Sequence, residues 1–402
     1  HMRLMYIANI RLPTEKAHGI QIMKTCEALG KRGIDVELVV PQRRNAIKEN
    51  PFDFYGVEKN FRIKRLWSLD LIWLPAPVWL KKIFFAMQSL TFVIRARACC
   101  KSIDAVVYTR DLPVVFWLGR SDRTDRTNRN NLFFEVHWLP ERVRWYHRRA
   151  YRRARVLVAI SEGIKNDLIE LGIPENKICV ARDGVDTKLF ETKIKIIDAR
   201  KKLSIPVDQT VAVYTGHLYE WKGADVLATA AEKLKDIDVY IVGGTKEEVK
   251  QFRKKYRYPN LHIVGWRKHK EIPLWLSAAD ALVLPNSAKN RIGAKDTSPL
   301  KLFEYMAAGR PIVASDVPAI REILDGTPAE LVKPDNSAAL ALGIAAALQR
   351  TELSAKRAER AFELGLEYTW EKRAGRIADF FGRTDKTDKT NKTNKTNVIC
   401  AG

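Results

Sequence analysis

The sequence has 402 residues, of which 46% are hydrophobic and 29% are charged, and its formal net charge is +23. This length exceeds what one hydrophobic core usually serves, so we expect two domains, and the composition excludes a disordered or fibrous chain. The surplus of positive charge predicts an anionic partner, which could be nucleic acid, a membrane surface or a phosphorylated substrate.

The N-terminal half alternates short apolar runs with helical patterns. Residues 4–8 and the segment "IDVELVVP" (34–41) are strand-like, and apolar side chains recur at helical spacing between them. Strand, helix and strand in this order form a βαβ unit, which implies a parallel sheet with right-handed crossovers. Three later segments extend the series: "AVVYTR" (105–110), "LFFEVH" (132–137) and "VLVAIS" (156–161).

The start of the chain and its cysteines predict an intracellular setting. His1 and Met2 are interpreted as an expression scar, and because the segment from Arg3 is already strand-like we expect no signal peptide. The five cysteines are scattered, odd in number and without the spacing of a metal site. We therefore expect a cytoplasmic protein.

The most apolar region is "LIWLPAPVWLKKIFFAMQSLTFVIR" (71–95). Pro75, Pro77 and the pair Lys81-Lys82 interrupt it, so that no run reaches the roughly 20 apolar residues that span a bilayer. A buried helix preceded by a loop is the ordinary interpretation. A helix face that rests on a membrane surface is the alternative.

Positive charge is concentrated in "ERVRWYHRRAYRRAR" (141–155), which holds seven arginines and one glutamate. An apolar stripe from Val143 through Tyr146 and Ala150 to Leu157 predicts a helix with arginines over most of its remaining surface. Such a helix could rest on anionic lipid, peripherally at the inner face of a membrane, or steer a lipid-diphosphate acceptor. A solvated surface helix is the alternative.

Two segments are built from three-residue repeats of Thr, Asp or Asn, and Arg or Lys. They are "RSDRTDRTNRNN" (120–131) and "GRTDKTDKTNKTNKTN" (382–397). Because they contain no apolar residue that could be buried, we expect disorder in an insert at 120–131 and in a tail at 382–402. Neither segment is assigned a catalytic role.

A second series of strand-like and helical segments begins at "TVAVYTGHLYEWKG" (210–223). We therefore predict a second α/β domain, joined to the first near residues 190–205. The strand-like segments that continue the series are "VYIVGG" (239–244), "LHIVGW" (261–266), "ALVLP" (281–285) and "PIVAS" (311–315).

The stretch "TSPLKLFEYMAAGRPIVASD" (297–316) predicts a helix whose start suits an anion. Ser298 is a good N-cap, and Gly309 suits the position after the last turn. The helix start offers free N–H groups and the positive end of the helix dipole, to which Lys301 adds a full charge. Glu304 lies roughly 4.5 Å along the helix axis from Lys301, where a carboxylate can accept hydrogen bonds from both hydroxyls of a ribose. We predict a diphosphate at Lys301 and a ribose at Glu304; a solvated Lys–Glu pair is the alternative.

Three other segments place candidate residues where strands end. "TGHLYEWKG" puts His217 and Lys222 on a loop that leads into a helix, and a lysine at such a loop end suits a diphosphate. "AHGIQ" places Gly19 at a strand–loop–helix corner, where the backbone can approach a ligand closely. "LFFEVH" ends in Glu135 and His137, and ligands of open α/β sheets bind at the carboxyl ends of the strands.

Together these segments resemble a GT-B-fold glycosyltransferase, close to the large retaining family 4. The resemblance covers residues 3–381 apart from the insert at 120–131, and "SPLKLFEYMAAGRPIVASD" is its most specific part. "GHLYEWKG", "ISEGIKNDLIELGI" and "RDGVDTKLF" support it. The resemblance implies an α/β protein of two Rossmann-like domains, at 3–190 and 205–366, that face each other across a cleft. A final helix at 367–381 would cross back to the first domain.

The same resemblance implies a nucleotide-sugar donor held mainly by the C-terminal domain. Glu304 would bind the ribose, and His137 would contact the transferred sugar. The base would lie near three consecutive residues, Gly265, Trp266 and Arg267. The residues implied at the diphosphate are His217, Lys222, Gly19, Ser298, Leu300 and Lys301.

The chain departs from the family at two positions. His217 stands where arginine is common, and Asp296 stands where the first of two glutamates is common. Histidine still donates a hydrogen bond, and aspartate keeps its carboxylate on a side chain one methylene shorter. We therefore expect an active enzyme in which His137 and Asp296 are the catalytic residues.

The resemblance implies transfer of a sugar, of the hexosyltransferase type, from a nucleoside-diphosphate sugar to a hydroxyl of a glycan or lipid-linked acceptor, with retained configuration. No metal or other cofactor is expected, because lysine and the helix dipole would neutralise the leaving diphosphate. One alternative is a nucleotide-sugar 2-epimerase; another is a basic protein that binds membrane or nucleic acid without catalysis. No nucleic-acid-binding motif accompanies the arginine block, so we do not expect nucleic acid as a partner.

Overall fold

The computed structural model shows two α/β domains, each built on one parallel sheet, and this architecture confirms the fold predicted from the sequence. Apart from residues 131 and 382, the insert predicted at 120–131 and the tail predicted at 382–402 lie outside the described residues. The described residues are 2–101, 105–118, 131–190, 194–324, 329–349 and 351–382.

The N-terminal domain is built on a sheet that helices cover on both faces. In the described part of the chain its strands are β1 (Arg3–Ile7), β2 (Asp35–Gln42), β3 (Arg62–Trp67), β4 (Val106–Thr109), β5 (Leu132–Val136), β6 (Val156–Ala159) and β7 (Ile178–Val180). They pair in parallel in the order β3-β2-β1-β4-β5-β6-β7. The strand order therefore reverses between β1 and β4, which creates a switch point where ligands of such sheets bind.

The helices of this domain divide between the two faces of the sheet. They are α1 (Ala17–Lys31), α2 (Pro51–Tyr55), α3 (Val78–Lys101), α4 (Leu112–Leu118), α5 (Trp145–Arg153) and α6 (Glu162–Glu170). The short helix α7 (Thr187–Phe190) follows and already packs against the C-terminal domain. One core contains Ile22 and Met23 of α1, whereas the core on the opposite face contains Phe92 of α3, Val114 of α4 and Ala150 of α5. Helices α3, α4 and α5 thus lie side by side on one face.

The C-terminal domain repeats this plan. Its described strands are β8 (Thr210–Thr215), β9 (Ile237–Val242), β10 (Leu261–Gly265), β11 (Ala281–Leu284), β12 (Ile312–Ser315) and β13 (Glu330–Val332), paired in parallel in the order β10-β9-β8-β11-β12-β13. Its helices are α8 (Ile196–Leu203), α9 (Ala224–Ala231), α10 (Lys246–Lys255), α11 (Ile272–Ala278), α12 (Leu300–Ala308), α13 (Pro318–Leu324), α14 (Ser337–Gln349) and α15 (Thr351–Gly365). A second switch point lies between β8 and β11.

The chain passes between the domains twice. On the first passage Phe190 and Ala199 are already buried in the C-terminal core, so this domain begins before the predicted boundary at residue 205. On the second passage the last described helix, α16 (370–382), returns to the N-terminal domain. Trp370 and Ile377 of α16 are buried in the core that α1 covers. The two domains are therefore connected by two segments of the chain whose side chains are buried in the domain cores.

Three differences from the sequence-based expectations have local causes. The edge strands β3 and β13 were not predicted, because β3 is mostly exposed and polar and β13 has only three residues. The arginine-rich helix α5 ends at Arg153, and Leu157 belongs to the buried strand β6. The predicted apolar stripe therefore joined residues of two different elements.

The apolar region 71–95 contributes most of α3, a helix of 24 residues. In its second half Phe92, Val93 and Ala96 are buried. In its first half Trp79 is 64% exposed and Phe85 is 49% exposed. The prediction of a buried helix is therefore wrong for the first half. Among the described residues, Val78–Cys100 is the one helix long and apolar enough, by length and composition, to cross a membrane.

Candidate active site

A cavity of about 370 Å³ lies between the two domains. Its wall contains residues that directly follow strands of both sheets, among them Arg110 after β4, His137 after β5 and Gly216 after β8. The cavity thus lies at the carboxyl ends of the strands and beside both switch points, where open α/β sheets bind their ligands.

The start of α12 brings Lys301 to the cavity. Its Nζ lies 4.0 Å from the ring centroid of Tyr214 and has no hydrogen-bond partner among the described residues. Burial, reinforced by the nearby charge of Lys222, holds the pKa of the Lys301 amine well below its usual range. A buried ammonium group without a partner is unfavourable, and an anion in the cavity would supply one. The first turn of α12 therefore suits a bound phosphate.

The beginning of α12 differs from the prediction. Ser298 was expected to cap the helix, but Pro299 is the N-cap residue and makes no side-chain cap. The Ser298 hydroxyl instead accepts a hydrogen bond of 3.0 Å from the backbone N–H of Asp183. The predicted cap is wrong because a donor from the N-terminal domain competes for the hydroxyl. Ser298 and Leu300 both line the cavity, and Gly309, with φ 61°, ends the helix as predicted.

Lys222 reaches the same cavity from the short 3₁₀ turn Glu220–Lys222. Gly223 follows with φ 68°, and a Cβ there would collide with the carbonyl oxygen of Pro285. Only glycine allows this close approach, which positions Lys222 beside the end of β11. Burial lowers the pKa of Lys222 to about 8, although Glu248 and Glu304 oppose the shift. Two amines with lowered pKa thus face one cavity.

His217 also lines the cavity. Its ring stacks on Tyr219 with centroids 5.0 Å apart and an interplanar angle of 6°, and its Nδ1 lies 3.7 Å from a carboxylate oxygen of Glu248. Burial and the charge of Lys222 lower the pKa of His217. The imidazole is therefore held in one orientation by the stack and favours its neutral form.

Glu304 lies one turn along α12 from Lys301 and lines the cavity. Its Oε1 lies 2.8 Å from Nε2 of His269, a residue that the sequence analysis did not single out. His269 also lines the cavity and comes from the turn before α11. The pair fixes the direction of the carboxylate, which is what recognition of a hydroxyl pair needs.

Two of the three residues predicted at a base line the cavity. Trp266 and Arg267 belong to the wall, whereas Gly265 ends β10 and lies outside it. The Trp266 ring stacks with Phe54 of the N-terminal domain, with ring centroids 6.4 Å apart and an interplanar angle of 13°. This stack joins the rims of the two domains.

On the N-terminal side, Glu135 is the centre of a buried polar network. Its carboxylate accepts hydrogen bonds from Gln21, at 2.5 Å, and from Tyr108. Nη2 of Arg373, on α16, lies 2.9 Å from Oε1 of Glu135, and both side chains are almost fully buried. Burial alone would raise the pKa of Glu135, but the charge of Arg373 and the hydrogen bond from His137 outweigh it and hold that pKa well below its usual range.

The network determines the protonation state of His137. Its Nε2 lies 2.5 Å from Oε1 of Glu135, and an ionised carboxylate only accepts hydrogen bonds, so Nε2 carries the hydrogen. Burial and the charge of Arg110 lower the pKa of His137 to about 4. At neutral pH His137 is therefore a neutral imidazole whose Nδ1 is an acceptor, and the side chain lines the cavity.

Two predicted site residues lie behind the cavity wall. Gly19 is buried within α1, where a Cβ would collide with the hydroxyl of Tyr55, so its small size serves packing inside the domain. Asp296 is fully buried, and its Oδ2 lies 2.9 Å from Nε of Arg291 and 3.4 Å from the N–H of Leu139. Neither residue belongs to the cavity wall.

Besides His269, other ionisable residues that line the cavity were not singled out from the sequence. Among them are His18, Arg110 and Asp183. Burial and the charge of Arg110 lower the pKa of His18 to about 3, and burial raises that of Asp183 to about 6. Arg110 directly follows β4 in the way that His137 follows β5, and this position was a signal that could have identified it.

The described residues contain no group of three or more His, Cys, Asp or Glu side chains placed to hold a metal ion. The cationic side of the cavity is formed by amines and the start of a helix instead.

Family models match most of each domain. The model described as "Glycosyltransferase Family 4" matches residues 19–189, and the model described as "Glycosyl transferases group 1" matches residues 209–350. The two matches follow the division into N-terminal and C-terminal domains.

Two curated relatives illustrate the sequence similarity. The chain is 27% identical over 218 residues to the "Putative colanic acid biosynthesis glycosyltransferase WcaL" of Escherichia coli, which covers 52% of this chain and 50% of the relative. It is 28% identical over 202 residues to the "Putative teichuronic acid biosynthesis glycosyltransferase TuaC" of Bacillus subtilis, which covers 49% of this chain and 48% of the relative. The alignments thus span about half the length of these relatives.

Solved structures share the whole fold. The Anabaena protein Alr3699/HepE, solved in complex with UDP-glucose, has a TM-score of 0.72 at 17% identity and covers 95% of this chain and 100% of its own. Sucrose-phosphate synthase of Thermosynechococcus elongatus has a TM-score of 0.75 at 17% identity and covers 96% of this chain and 100% of its own. At this identity the likeness shows the fold alone, and that fold is GT-B.

Proposed function

The chain belongs to the family-4 glycosyltransferases, and from this premise we propose that it transfers a sugar from a nucleoside-diphosphate sugar to a hydroxyl of a glycan or lipid-linked acceptor. The observation that carries the proposal is that Lys222 and Lys301 face one cavity with lowered pKa values. Two such amines on the wall of one cavity suit the two phosphates of such a donor.

We propose a UDP-sugar as the donor. The diphosphate would bind between Lys222, Lys301 and the first turn of α12, and the ribose hydroxyls would bind to Glu304, which His269 orients. The base would then extend toward Trp266 at the rim. Support for uridine comes from HepE, which shares the fold and was solved in complex with UDP-glucose.

The proposed reaction retains the anomeric configuration. The bond between the sugar's anomeric carbon and the phosphate oxygen breaks, and its electron pair leaves with the diphosphate. The acceptor oxygen bonds to the same face of that carbon, and its proton passes to the departing phosphate. The positive groups around the diphosphate stabilise the charge that develops on it, so that the proposed transfer needs no metal.

His137 is the proposed contact to the transferred sugar. Its neutral imidazole presents Nδ1 as an acceptor, which suits a sugar hydroxyl. Asp296 is proposed to act differently from the sequence-based expectation. Because its carboxylate is occupied by Arg291 and Leu139 behind the wall, it would position the loop before α12 and would not contact the sugar itself.

The proposed setting is the synthesis of a cell-envelope polysaccharide, as in the names of the relatives from Escherichia coli and Bacillus subtilis. We propose a cytoplasmic protein that binds peripherally to the inner face of a membrane through residues 141–155, where a lipid-linked acceptor is available.

The donor proposal is tested first by thermal unfolding with UDP-, GDP- and ADP-sugars. A donor that binds only the folded protein raises the apparent Tm, and we expect the UDP-sugar to give the largest rise. Lys222→Met should abolish most of that rise and most of the turnover. Turnover that is unchanged in Lys222→Met would overturn the assignment of the site.

A second experiment separates transfer from epimerisation. Incubated with donor alone, a 2-epimerase converts it into a second sugar nucleotide, whereas a transferase at most hydrolyses it slowly. With an acceptor present, the anomer of the product tests retention. An inverted linkage would refute the proposed mechanism while leaving the donor site intact, and loss of activity in EDTA would refute metal independence.

A further inference from the structure

The first half of α3 is an apolar surface that the rest of the described protein does not cover. Trp79 is 64% exposed, and Ile83, Phe85, Met87 and Leu90 are each more than a third exposed. Soluble proteins rarely expose contiguous apolar patches of this kind without a partner. In the second half of the same helix Phe92, Val93 and Ala96 are buried against the sheet, whereas Ile94 on the outer side is 56% exposed.

The arginine-rich helix α5 lies on the same face of the sheet. Helix α4 connects the two: it contacts α3 on one side, and the ring of its Phe116 lies 6.1 Å from that of Trp145, the first residue of α5. Trp145 is 68% exposed, and Arg148 and Arg149 behind it are exposed. Apolar and cationic side chains therefore share one surface.

The charge of this surface has one sign. Neither α3 nor α5 contains an aspartate or glutamate. Lys81 and Lys82 are exposed among the apolar residues of α3, and the exposed arginines of α5 add to them. Apolar and aromatic side chains mixed with lysine and arginine are the composition of surfaces that lie in the interface of an anionic bilayer.

The surface lies toward the end of the N-terminal sheet that carries the cavity. In a parallel α/β sheet each connecting helix begins near the carboxyl ends of the strands, since it follows a strand and runs back along it. The exposed first half of α3 follows β3, and the exposed start of α5 follows β5 and His137. Both starts thus lie at the edge of the sheet that carries the cavity.

We propose that this docking face, formed by Trp79, Ile83, Phe85, Trp145, Arg148 and Arg149, binds the surface of an anionic lipid bilayer. The first half of α3 enters the interface, and the arginines of α5 contact the headgroups. The inference rests on the proposed function in one respect, because docking here brings a lipid-linked acceptor next to the cleft. It adds the exposed apolar side chains of α3 to Trp145, which is the exposed aromatic residue of the segment 141–155.

Docking on the surface fits this fold better than spanning the bilayer. Phe92 and Val93 are 0% and 2% exposed, and they pack with Met5 and Val39 of the central strands. For α3 to cross a membrane, these side chains would have to leave the core of the N-terminal domain. The first half of the helix is free to enter the interface without disturbing that core.

Vesicle co-sedimentation of the full chain tests the docking face. The protein is mixed with vesicles of phosphatidylcholine alone or of phosphatidylcholine with phosphatidylglycerol, at rising salt. The test variants are Trp79→Ser/Phe85→Ser and Arg148→Glu/Arg149→Glu. The matched controls are Leu342→Ser, which changes an apolar residue 73% exposed on α14, and Arg257→Glu, which changes an exposed arginine of the C-terminal domain.

We expect the wild type to bind only the vesicles that contain phosphatidylglycerol, and less as salt rises. Each test variant should lower the ratio of bound to free protein by about tenfold or more, whereas both controls bind like the wild type. A test variant that binds as well as the controls would overturn the proposal. So would wild-type binding that is equal on both kinds of vesicle.

Three further readouts distinguish docking from a failed donor site, from a spanning helix and from a dimer. The rise in Tm with a UDP-sugar should be the same in all four variants, which would show that a loss of vesicle binding is not caused by a damaged donor site. If the wild type itself shows no rise in Tm, the proposed function fails, independently of the docking proposal. Resistance to extraction with alkaline carbonate would show that α3 spans the bilayer. Conversion of a dimer to a monomer by Trp79→Ser/Phe85→Ser would show that a second copy covers the face. Either of these last two results would overturn the proposal.

Discussion

The two sides of the cleft use charged residues in opposite ways. On the N-terminal side, buried Glu135 is surrounded by groups that neutralise or donate to it, with Arg373 2.9 Å away. On the C-terminal side, Lys301 has no hydrogen-bond partner among the described residues, and burial lowers the pKa values of Lys301 and Lys222. On one side the buried charge of Glu135 has its counter-charge within the protein, and the other side suits an added anion.

This difference separates stability from binding. A buried charge with its partner in place stabilises the fold only as part of the pair, so loss of one member leaves the other unfavourably buried. A buried charge without a partner destabilises the free protein and is retained where a ligand supplies the missing partner. Removing a charge should therefore have opposite effects on stability on the two sides of the cleft.

The largest effect is expected from Arg373→Met. This change leaves Glu135 buried without its partner and should lower the free energy of unfolding by about 3–5 kcal/mol. Denaturant unfolding followed by tryptophan fluorescence measures it. Lys372→Met is the matched control, because Lys372 is an exposed neighbour paired with Glu367 at 2.7 Å, and it should change stability by at most about 1 kcal/mol. If Arg373→Met and Lys372→Met lowered the free energy of unfolding equally, Arg373 would not be the buried partner that Glu135 needs.

The second prediction has the opposite sign for stability. Lys301→Met removes an unpartnered buried amine and should raise the free energy of unfolding by about 1 kcal/mol. It should also weaken UDP binding by about 10- to 100-fold, the loss of one charge-assisted hydrogen bond. Denaturant unfolding and calorimetric titration measure the two effects. Lys289→Met, at an exposed position, should change neither. If Lys301→Met lowered the free energy of unfolding, removal of a charge would not have opposite effects on stability on the two sides of the cleft.

The smallest effect is a pH dependence of donor binding. The lowered pKa of Lys222, about 8, means that its positive charge is present below that pH and lost above it. UDP affinity should therefore fall between pH 7 and pH 9, by about tenfold at most. Calorimetric titration across this range measures it. Lys222→Arg should flatten the profile, because a guanidinium stays charged. A decline that persists unchanged in Lys222→Arg would assign it to another group.

Much of the fold could be predicted because its signals are local. Short apolar runs separated by helical patterns indicate buried parallel strands, and both domains follow them. Gly309 is also a local signal, since glycine is preferred just after the last turn of a helix. Lys301 is a local signal for the opposite reason, because a cation at the start of a helix opposes the helix dipole unless an anion binds there. The sequence analysis singled out Lys301, Glu304 and His137 from such local signals, and the structure places all three on the wall of one cavity.

Other features could not be predicted because they join residues far apart in the chain. Nothing near Glu135 indicates that Arg373 of the last helix neutralises it. Nothing near Ser298 shows that the N–H of Asp183 takes its hydroxyl away from the helix. Asp296 has the residue type of a site carboxylate, but its pairing with Arg291 depends on how the preceding loop folds.

The amino-acid sequence by itself determined the fold class, the family and the elements that carry the cleft, because periodicity and helix-end preferences are properties of neighbouring residues. Only the tertiary structure decided which charges are paired, which side chains reach the cavity and which half of α3 remains exposed. The physical reason is that burial and electrostatic pairing depend on distances in space, which the order of residues along the chain does not specify.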